Sequence, residues 1–370
     1  MSDKIFTLEV LNAFHGDCLL LHYGTLDKPK IMLVDGGPNG TFDASLKPRI
    51  LTLSETRSKP LKLDHVMVSH LDDDHISGIL QLVEEIKSGT ELCKAPSFWF
   101  NTFDDTMQLA PPALAEARDD LGLTEAAAIT ASVEHASVNQ GRDLRDAVAT
   151  IFSKQNNGED LLFSDGQGRP LAISGLDVTL VCPDKQHLAD LAEKWIASPK
   201  KKADTAAYVD KSVFNLSSLV VVVSPKDEED GPRILLTGDA RGDHILAGLG
   251  GAGLLDDDGT AHFSILKVPH HGSDRNLDRE FFRKITADYY VLSGDGKYSN
   301  PSASVLAWIA QAASNDAKIC LTYDNNPQYD GYGPSVQKVL AKYPHLAAQL
   351  LVRGPEELLL RIDLMAPLAD

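Results

Sequence analysis

The sequence predicts a mixed α/β (α+β) protein, and three observations carry that prediction. Short apolar runs rich in Val, Ile and Leu recur along the chain and alternate with segments whose apolar residues return at helical spacing. Four of those runs end in Asp or His. No internal repeat and no long linker interrupts the alternation, so residues 1–370 read as one domain, with a helical insertion at about 104–170.

In chain order, FTLEVLNAF, CLLLHYG and KIMLVDGG read as three consecutive strands, the last two separated by the turn-rich TLDKP. LDHVMVSH is a fourth strand. Ile76, Ile79, Leu80, Val83 and Ile86 then recur at helical spacing, which places SHLDDDH, residues 69–75, on a strand-to-helix loop. Residues 104–153 carry long Ala-rich helical patterns, and QNNGEDLLFSDGQGRP is a loop leading into the strand LDVTLVCP. SSLVVVVSP and RILLTGDA are continuous apolar runs joined by KDEEDGP, a hairpin by composition. SILKVPHHGSD is a strand ending in a histidine pair, DRNLDREFFRKI a helix, and ADYYVLSGDG, KICLTYD and LLLRIDL further strands.

Composition narrows the class. With 43% hydrophobic and 24% charged residues the chain reads as an ordinary globular protein. No run of apolar residues is long enough to span a bilayer, and MSDKIFTLEV lacks the features of a signal peptide, so a cytoplasmic protein that does not enter membranes is expected. The four cysteines form no CxxC pair and read as small buried hydrophobes. A net charge of −18 argues against holding nucleic acid on a broad basic face. Lys200 to Lys202, the one basic cluster, reads as a loop.

The polar strand ends are the functional signal. Asp35 follows IMLV, His70 follows VMVS, Asp239 follows ILLTG, and His270 with His271 follows ILKVP. Strand ends of a sheet protein converge on one rim, and a metal site needs such convergence on rigid elements. On the 69–75 loop, His70, Asp72, Asp74 and His75 offer imidazole nitrogen and carboxylate oxygen, a donor set suited to borderline divalent metals. Capping and the helix dipole account for one or two of these residues. Three successive aspartates repel one another unless cations lie among them, which favours metal. His135 and His187, in helical contexts, are not read as ligands.

With these motifs in order, the sequence resembles the metallo-β-lactamase-fold hydrolases, whose signature is HxHxDH, then an Asp in a TGD-like turn and a final His after a strand. SHLDDDH matches with Asp72 in place of the second His, LLTGDA matches at Asp239, KVPHHGS at His270 or His271, and LVDGG at the early structural Asp35. The resemblance implies an αββα sandwich of two mixed β-sheets flanked by helices. Within that group the sequence is most similar to the soluble nuclease-like domain of ComEC, the DNA-uptake protein, through HxDxDH, FHGDCLLLHYG, NLSSLV and LKVPHHGS.

What the resemblance implies is a metal-dependent phosphodiesterase or nuclease acting on DNA. Two divalent ions, zinc or manganese, would be held by His70 and Asp72 on one side and by Asp74, His75 and a histidine of the 270/271 pair on the other, bridged by Asp239. A hydroxide between them would attack phosphorus, with Asp74, Asp239 and His75 as the catalytic set and Asp74 orienting the nucleophile. The sequence departs from the pattern twice. Asn215 stands in the region of the usual third-motif histidine, and Asn300 in KYSNPS stands where relatives carry a His. His15, Asn215, Ser273, Lys297 and Asn300 are the candidate substrate contacts, although Ser273 reads first as the cap of the next helix, and Lys267 and Arg275 read as surface residues or further phosphate contacts. A hydrolase of a small ester, lactone or thioester is the alternative, and a weakly active regulatory or interaction protein a third reading. A free-standing nuclease endangers its host, so restraint by a regulatory protein partner and a role in defence against foreign DNA are expected.

Overall fold

Pairing of the apolar runs produces two mixed sheets. The computed structural model describes residues 3–112, 133–151, 154–197, 215–323 and 332–368. Lys4–Leu11 (β1), Leu19–Thr25 (β2) and Lys28–Val34 (β3) form an antiparallel meander. Leu359–Asp363 comes back from the far end of the chain to pair antiparallel with β1, so LLLRIDL closes the sheet that FTLEV opens. Beyond β3, the segments His65–Met67, Ser97–Trp99 and Lys154–Gln155 add in parallel to give seven strands among the described residues.

The second sheet has eight described strands. Arg169–Ile173, Leu176–Cys182, Val220–Pro225 and Ile234–Leu236 run antiparallel, the last two joined through the KDEEDGP turn. Ala261–Lys267, Ile285–Leu292, Lys318–Leu321 and Leu350–Val352 then follow in parallel. The helices Gly242–Gly251, Arg279–Lys284, Ala303–Ala312 and Tyr332–Lys342 make the crossovers that parallel strands require. Burial on both faces explains why these strands read as unbroken apolar runs rather than alternations.

Three apolar layers fix the order helix, sheet, sheet, helix. Between the sheets, Phe6, Leu8, Val10, Leu21 and Trp99 meet Leu180, Val221, Val223, Ile265 and Val291. Outside the first sheet, Leu20, Leu33 and Val66 pack on Ile50, Ile76, Ile79, Val83, Leu144 and Val148. Outside the second, Leu266, Tyr290 and Ile319 pack on Ile245, Phe281, Phe282, Val305 and Ile309. The expected αββα sandwich is therefore what the chain forms. All four cysteines are buried and free. Among the described residues no helix is long and apolar enough to cross a membrane.

Within the segment expected as a helical insertion, Phe103–Met107 and Val133–Ile151 are helices, while Lys154–Gln155 belongs to the first sheet. The Lys200–Lys202 cluster lies outside the described residues. Four strand ends reach one rim: Asp35, His70, Asp239 and the 270/271 pair follow strands of the two sheets. Backbone bonds stitch that rim together. Ser69 O accepts from Leu219 N at 2.9 Å across the sheets, and Gly238 O accepts from His270 N at 3.2 Å. Open α/β sheets bind ligands at such carboxyl ends.

Candidate metal centre

The loop from His70 to His75 places its donors in two directions. Asp72 sits at the N-cap of the helix Asp73–Lys87 but makes no side-chain capping bond; its carbonyl accepts from His75 N and Ile76 N instead. Its carboxylate lies 3.6 Å from His70 Nε2. Asp73 turns away. Its Oδ1 accepts from Ser77 Oγ at 2.6 Å and from Gln140 Nε2 at 3.0 Å. The expectation that cations lie among all three aspartates is thus corrected for Asp73, whose charge is met by hydroxyl and amide donors. Asp74 and His75 face inward.

Close backbone approach makes this loop possible. A Cβ on Gly16 would stand 1.9 Å from Asp74 O, and one on Gly78 the same distance from Gly36 O, so glycine is required at both contacts. The FHGDC turn is thereby pressed under the 72–75 loop, and LVDGG against the first turn of the helix. Asp35, at φ 58°, uses its whole carboxylate there. Its oxygens accept from Ser69 N and Ser69 Oγ, each at 2.7 Å, and from His75 Nδ1 at 2.8 Å. A proton held on Nδ1 leaves His75 Nε2 as the free donor atom.

PHHG supplies the other two imidazoles through an uncommon backbone. His270 and His271 are both left-handed, at φ 51° and 53°, a conformation that costs roughly 1–2 kcal/mol per non-glycine residue. What the turn achieves is two successive imidazoles aimed at the two oxygens of one carboxylate. His271 Nε2 lies 3.5 Å from Asp239 Oδ1 and 3.6 Å from Asp74 Oδ2, while His75 Nε2 is 3.3 Å from the same Asp239 Oδ1. On the opposite side, His270 Nε2 lies 3.7 Å and His70 Nε2 3.9 Å from Asp239 Oδ2. Each oxygen of Asp239 therefore faces two imidazoles, and each side has its own carboxylate, Asp74 or Asp72.

Asp17, which sequence reasoning passed over, lies with this group. The ligand atoms of Asp17, His75, Asp239 and His271 fall within 4.8 Å of one another, and all four residues are buried. Asp17 differs from the other three in its partners. Its Oδ2 is 2.6 Å from Lys267 Nζ, and its Oδ1 is 3.6 Å from His271 Nδ1, the nitrogen on the far side of that ring from Asp239. Asp17 thus lies behind the His271 ring as Asp35 lies behind that of His75, but at 3.6 Å rather than in a 2.8 Å hydrogen bond. Lys267, expected near the substrate or on the surface, is 1% exposed and balances Asp17. The signal was present in FHGDC, an Asp between two strands, but only the fold brings Lys267 to it.

Charge and burial test whether cations fit. His70 Nε2, His75 Nε2, His271 Nε2 and Asp239 Oδ1 are buried without a hydrogen-bond partner. A buried polar atom left so costs about 1–3 kcal/mol, more when charged. A divalent ion satisfies several at once, so the residues fit a metal. Burial by itself pushes His271 down, yet Asp239 and Asp17 raise it to about 9. His75 is likewise raised well above its ordinary value against burial, by Asp239 and Asp35. Burial opposes ionisation of Asp74 and Asp239 too, but the facing histidines hold both well below the usual carboxylate range. The carboxylates draw positive charge into the site.

The remaining candidates divide. Asn215 is 1% exposed, and its two side-chain polar atoms have no partner among the described residues; Ser218, three residues on, accepts from Asp239 N at 3.2 Å. Ser273 does not cap the following helix, because Asp278 does, accepting from Phe281 N at 2.9 Å; Ser273 Oγ instead accepts from Arg275 N at 3.4 Å. Asn300 Nδ2 donates to His270 O at 3.5 Å and ties its loop to the histidine pair. Lys297 Nζ donates to His15 Nε2 at 3.3 Å.

The two sheets, their helical faces and a centre at the strand ends define the metallo-β-lactamase fold. The family model described as the metallo-beta-lactamase superfamily matches residues 13–139. That span holds Asp17, Asp35 and the 70–75 loop. Among solved structures, the metallo-beta-lactamase fold protein YhfI from Bacillus subtilis is similar over 97% of this chain and 99% of its own, at 11% identity and a TM-score of 0.41. A putative metallo-beta-lactamase from Thermotoga maritima matches 63% of this chain and 79% of its own, at 13% identity and a TM-score of 0.29. Metallo-beta-lactamase SMB-1 bound to 2-mercaptoethanesulfonate matches 72% and 82%, at 10% identity and a TM-score of 0.29. Likenesses of this size carry nothing about activity.

Proposed function

We propose that the protein is a metal-dependent hydrolase that cleaves phosphodiester bonds in nucleic acid, with DNA as the substrate. The observation that supports it most is the two-sided carboxylate: Asp239 Oδ1 with His75, His271 and Asp74, and Oδ2 with His70, His270 and Asp72. On this reading His270 takes the place of the missing third-motif histidine. Two imidazoles and two carboxylate oxygens on each side suit zinc or manganese. When bound, two divalent ions would supply Lewis acidity toward a phosphoryl oxygen and acidify an attacking water.

The protein's own groups do the rest. Asp74, held ionised, accepts a hydrogen bond from the water and orients it. Asp35 fixes the His75 ring from behind by hydrogen bond, and the Asp17 carboxylate lies behind the His271 ring at 3.6 Å. Lys297 and His15, at the edge of the site, meet the anionic substrate, which offsets the acidity of the chain as a whole. The chain acts as one domain in the cytoplasm, and a partner restrains it, as a role in defence against foreign DNA would require.

Elemental mass spectrometry on the purified protein, with plasmid degradation measured with and without Mn²⁺, tests the reading. Two ions per chain, with cutting lost in Asp74→Ala and Asp239→Ala, is the expected result. Metal without cutting, together with turnover of a chromogenic ester or lactone, would overturn the phosphodiester assignment.

A further inference from the structure

Beside the centre stands a loop that the chemistry above uses only in part. Asp295 to Asn300 follows the strand Ile285–Leu292 and is tied down at several points. Lys297 N donates to Asp295 Oδ1 at 2.9 Å, Ser299 N to Gly296 O at 2.9 Å, and Asn300 Nδ2 to His270 O at 3.5 Å. At its tip Tyr298 is 53% exposed, and no other aromatic residue stands among the exposed large hydrophobics described. Its ring is thus presented to solvent on an anchored loop beside the 270/271 pair.

Its surroundings say which ligand it suits. The edge of the His15 ring meets Tyr298 with centroids 5.5 Å apart and planes at 83°, which steadies the phenol. Lys297 Nζ lies 5.1 Å from the Tyr298 ring centre and 3.3 Å from His15 Nε2. The Lys297 ammonium, donating to His15 Nε2, is the positive charge beside the ring. Asn300 Nδ2, two residues beyond Tyr298, donates to His270 O at 3.5 Å, so the loop adjoins the inner donor set. An aromatic face, a cation and a metal centre side by side match a base, its phosphate and the scissile phosphate of a strand whose bases are unpaired.

We propose that Tyr298 and Lys297 form a nucleotide clamp that makes single-stranded nucleic acid the preferred substrate over duplex, Tyr298 stacking on a base beside the scissile bond and Lys297 contacting a phosphate. The proposal rests on the phosphodiesterase reading and adds to it a choice of strand. Bases paired in a duplex are stacked on each other and cannot cover Tyr298, whereas an unpaired base can.

The test is an anisotropy titration of a fluorescein-labelled oligothymidylate and of an abasic backbone of the same length and charge. It is run in Ca²⁺, with a gel to confirm that both strands stay intact. Wild type is expected to bind the oligothymidylate roughly tenfold more tightly than the abasic strand, the size that base–aromatic stacking carries. Tyr298→Ala should erase that difference and Tyr298→Trp keep it, while Lys297→Ala weakens both strands alike. Equal binding of the two strands by wild type, or a preference that survives Tyr298→Ala, overturns the clamp while leaving phosphodiester cleavage standing. If wild type neither binds nor cuts either strand in Mn²⁺, the phosphodiesterase reading falls and the clamp with it.

Discussion

Lys267 Nζ lies 2.6 Å from Asp17 Oδ2, and both side chains are 1% exposed. A buried pair of this kind costs desolvation on both partners, and its removal one partner at a time leaves a charge without compensation. Lys267→Met should therefore destabilise the protein by about 3–5 kcal/mol, and adding Asp17→Asn should recover much of the loss. Urea midpoints of the two variants measure this. A single variant as stable as wild type would show that solvent reaches the pair.

Asp17→Asn by itself should also loosen His271. Groups that orient a liganding imidazole are worth about 10–100-fold in metal affinity. Competition against a chromogenic chelator should show one weakened ion per chain in Asp17→Asn, and the same class of loss in Asp35→Asn through His75 Nδ1.

His270 and His271 face different oxygens of Asp239, so they should govern different ions. Elemental analysis of His270→Ala and of His271→Ala is expected to give about one ion where wild type holds about two, and the double variant none. Were His270→Ala to keep the full complement, His70 and Asp72 would need another partner.

Asp73 separates from its neighbours. With its carboxylate on Ser77 and Gln140, Asp73→Asn should leave metal content unchanged and cost on the order of 1 kcal/mol in chemical denaturation. Asp74→Asn, on the inner side, should cost little stability and most of the activity.

The acid limb of stability should report Glu9. This residue is 0% exposed on β1, under Arg49 and His22. Burial raises its pKa, but hydrogen bonds from His22 and Arg49 outweigh that and lower it to about 2 from 4.5. A depressed carboxylate pKa gives stability that is fully present above the unfolded value and is lost as pH falls through the folded one. The window is therefore pH 4.5 down to about 2, and its depth roughly 3 kcal/mol. Glu9→Gln should flatten the stability profile across that window; an unchanged profile would place the acid transition elsewhere.

Much of this was legible in the chain itself. Apolar periodicity announced the strands and the helix after the 70–75 loop, and the Asp and His residues at strand ends marked the rim, because strand ends must converge where sheets stack. Asp35, His70, Asp72, Asp74, His75, Asp239 and the 270/271 pair were all visible in that way. The direction each side chain takes was not. Asp73 looks like Asp72 and Asp74 until Gln140 arrives from a helix far along the chain, and Lys267 looks like any lysine until a buried Asp17 meets it. His270 and His271 look interchangeable because sequence does not show two successive left-handed residues. The sequence by itself determined which elements form and which chemistry gathers at one rim, through local periodicity and residue type. Tertiary structure decided which groups touch the centre and which stand behind it, because that depends on contacts between residues hundreds of positions apart and on backbone angles that packing alone imposes.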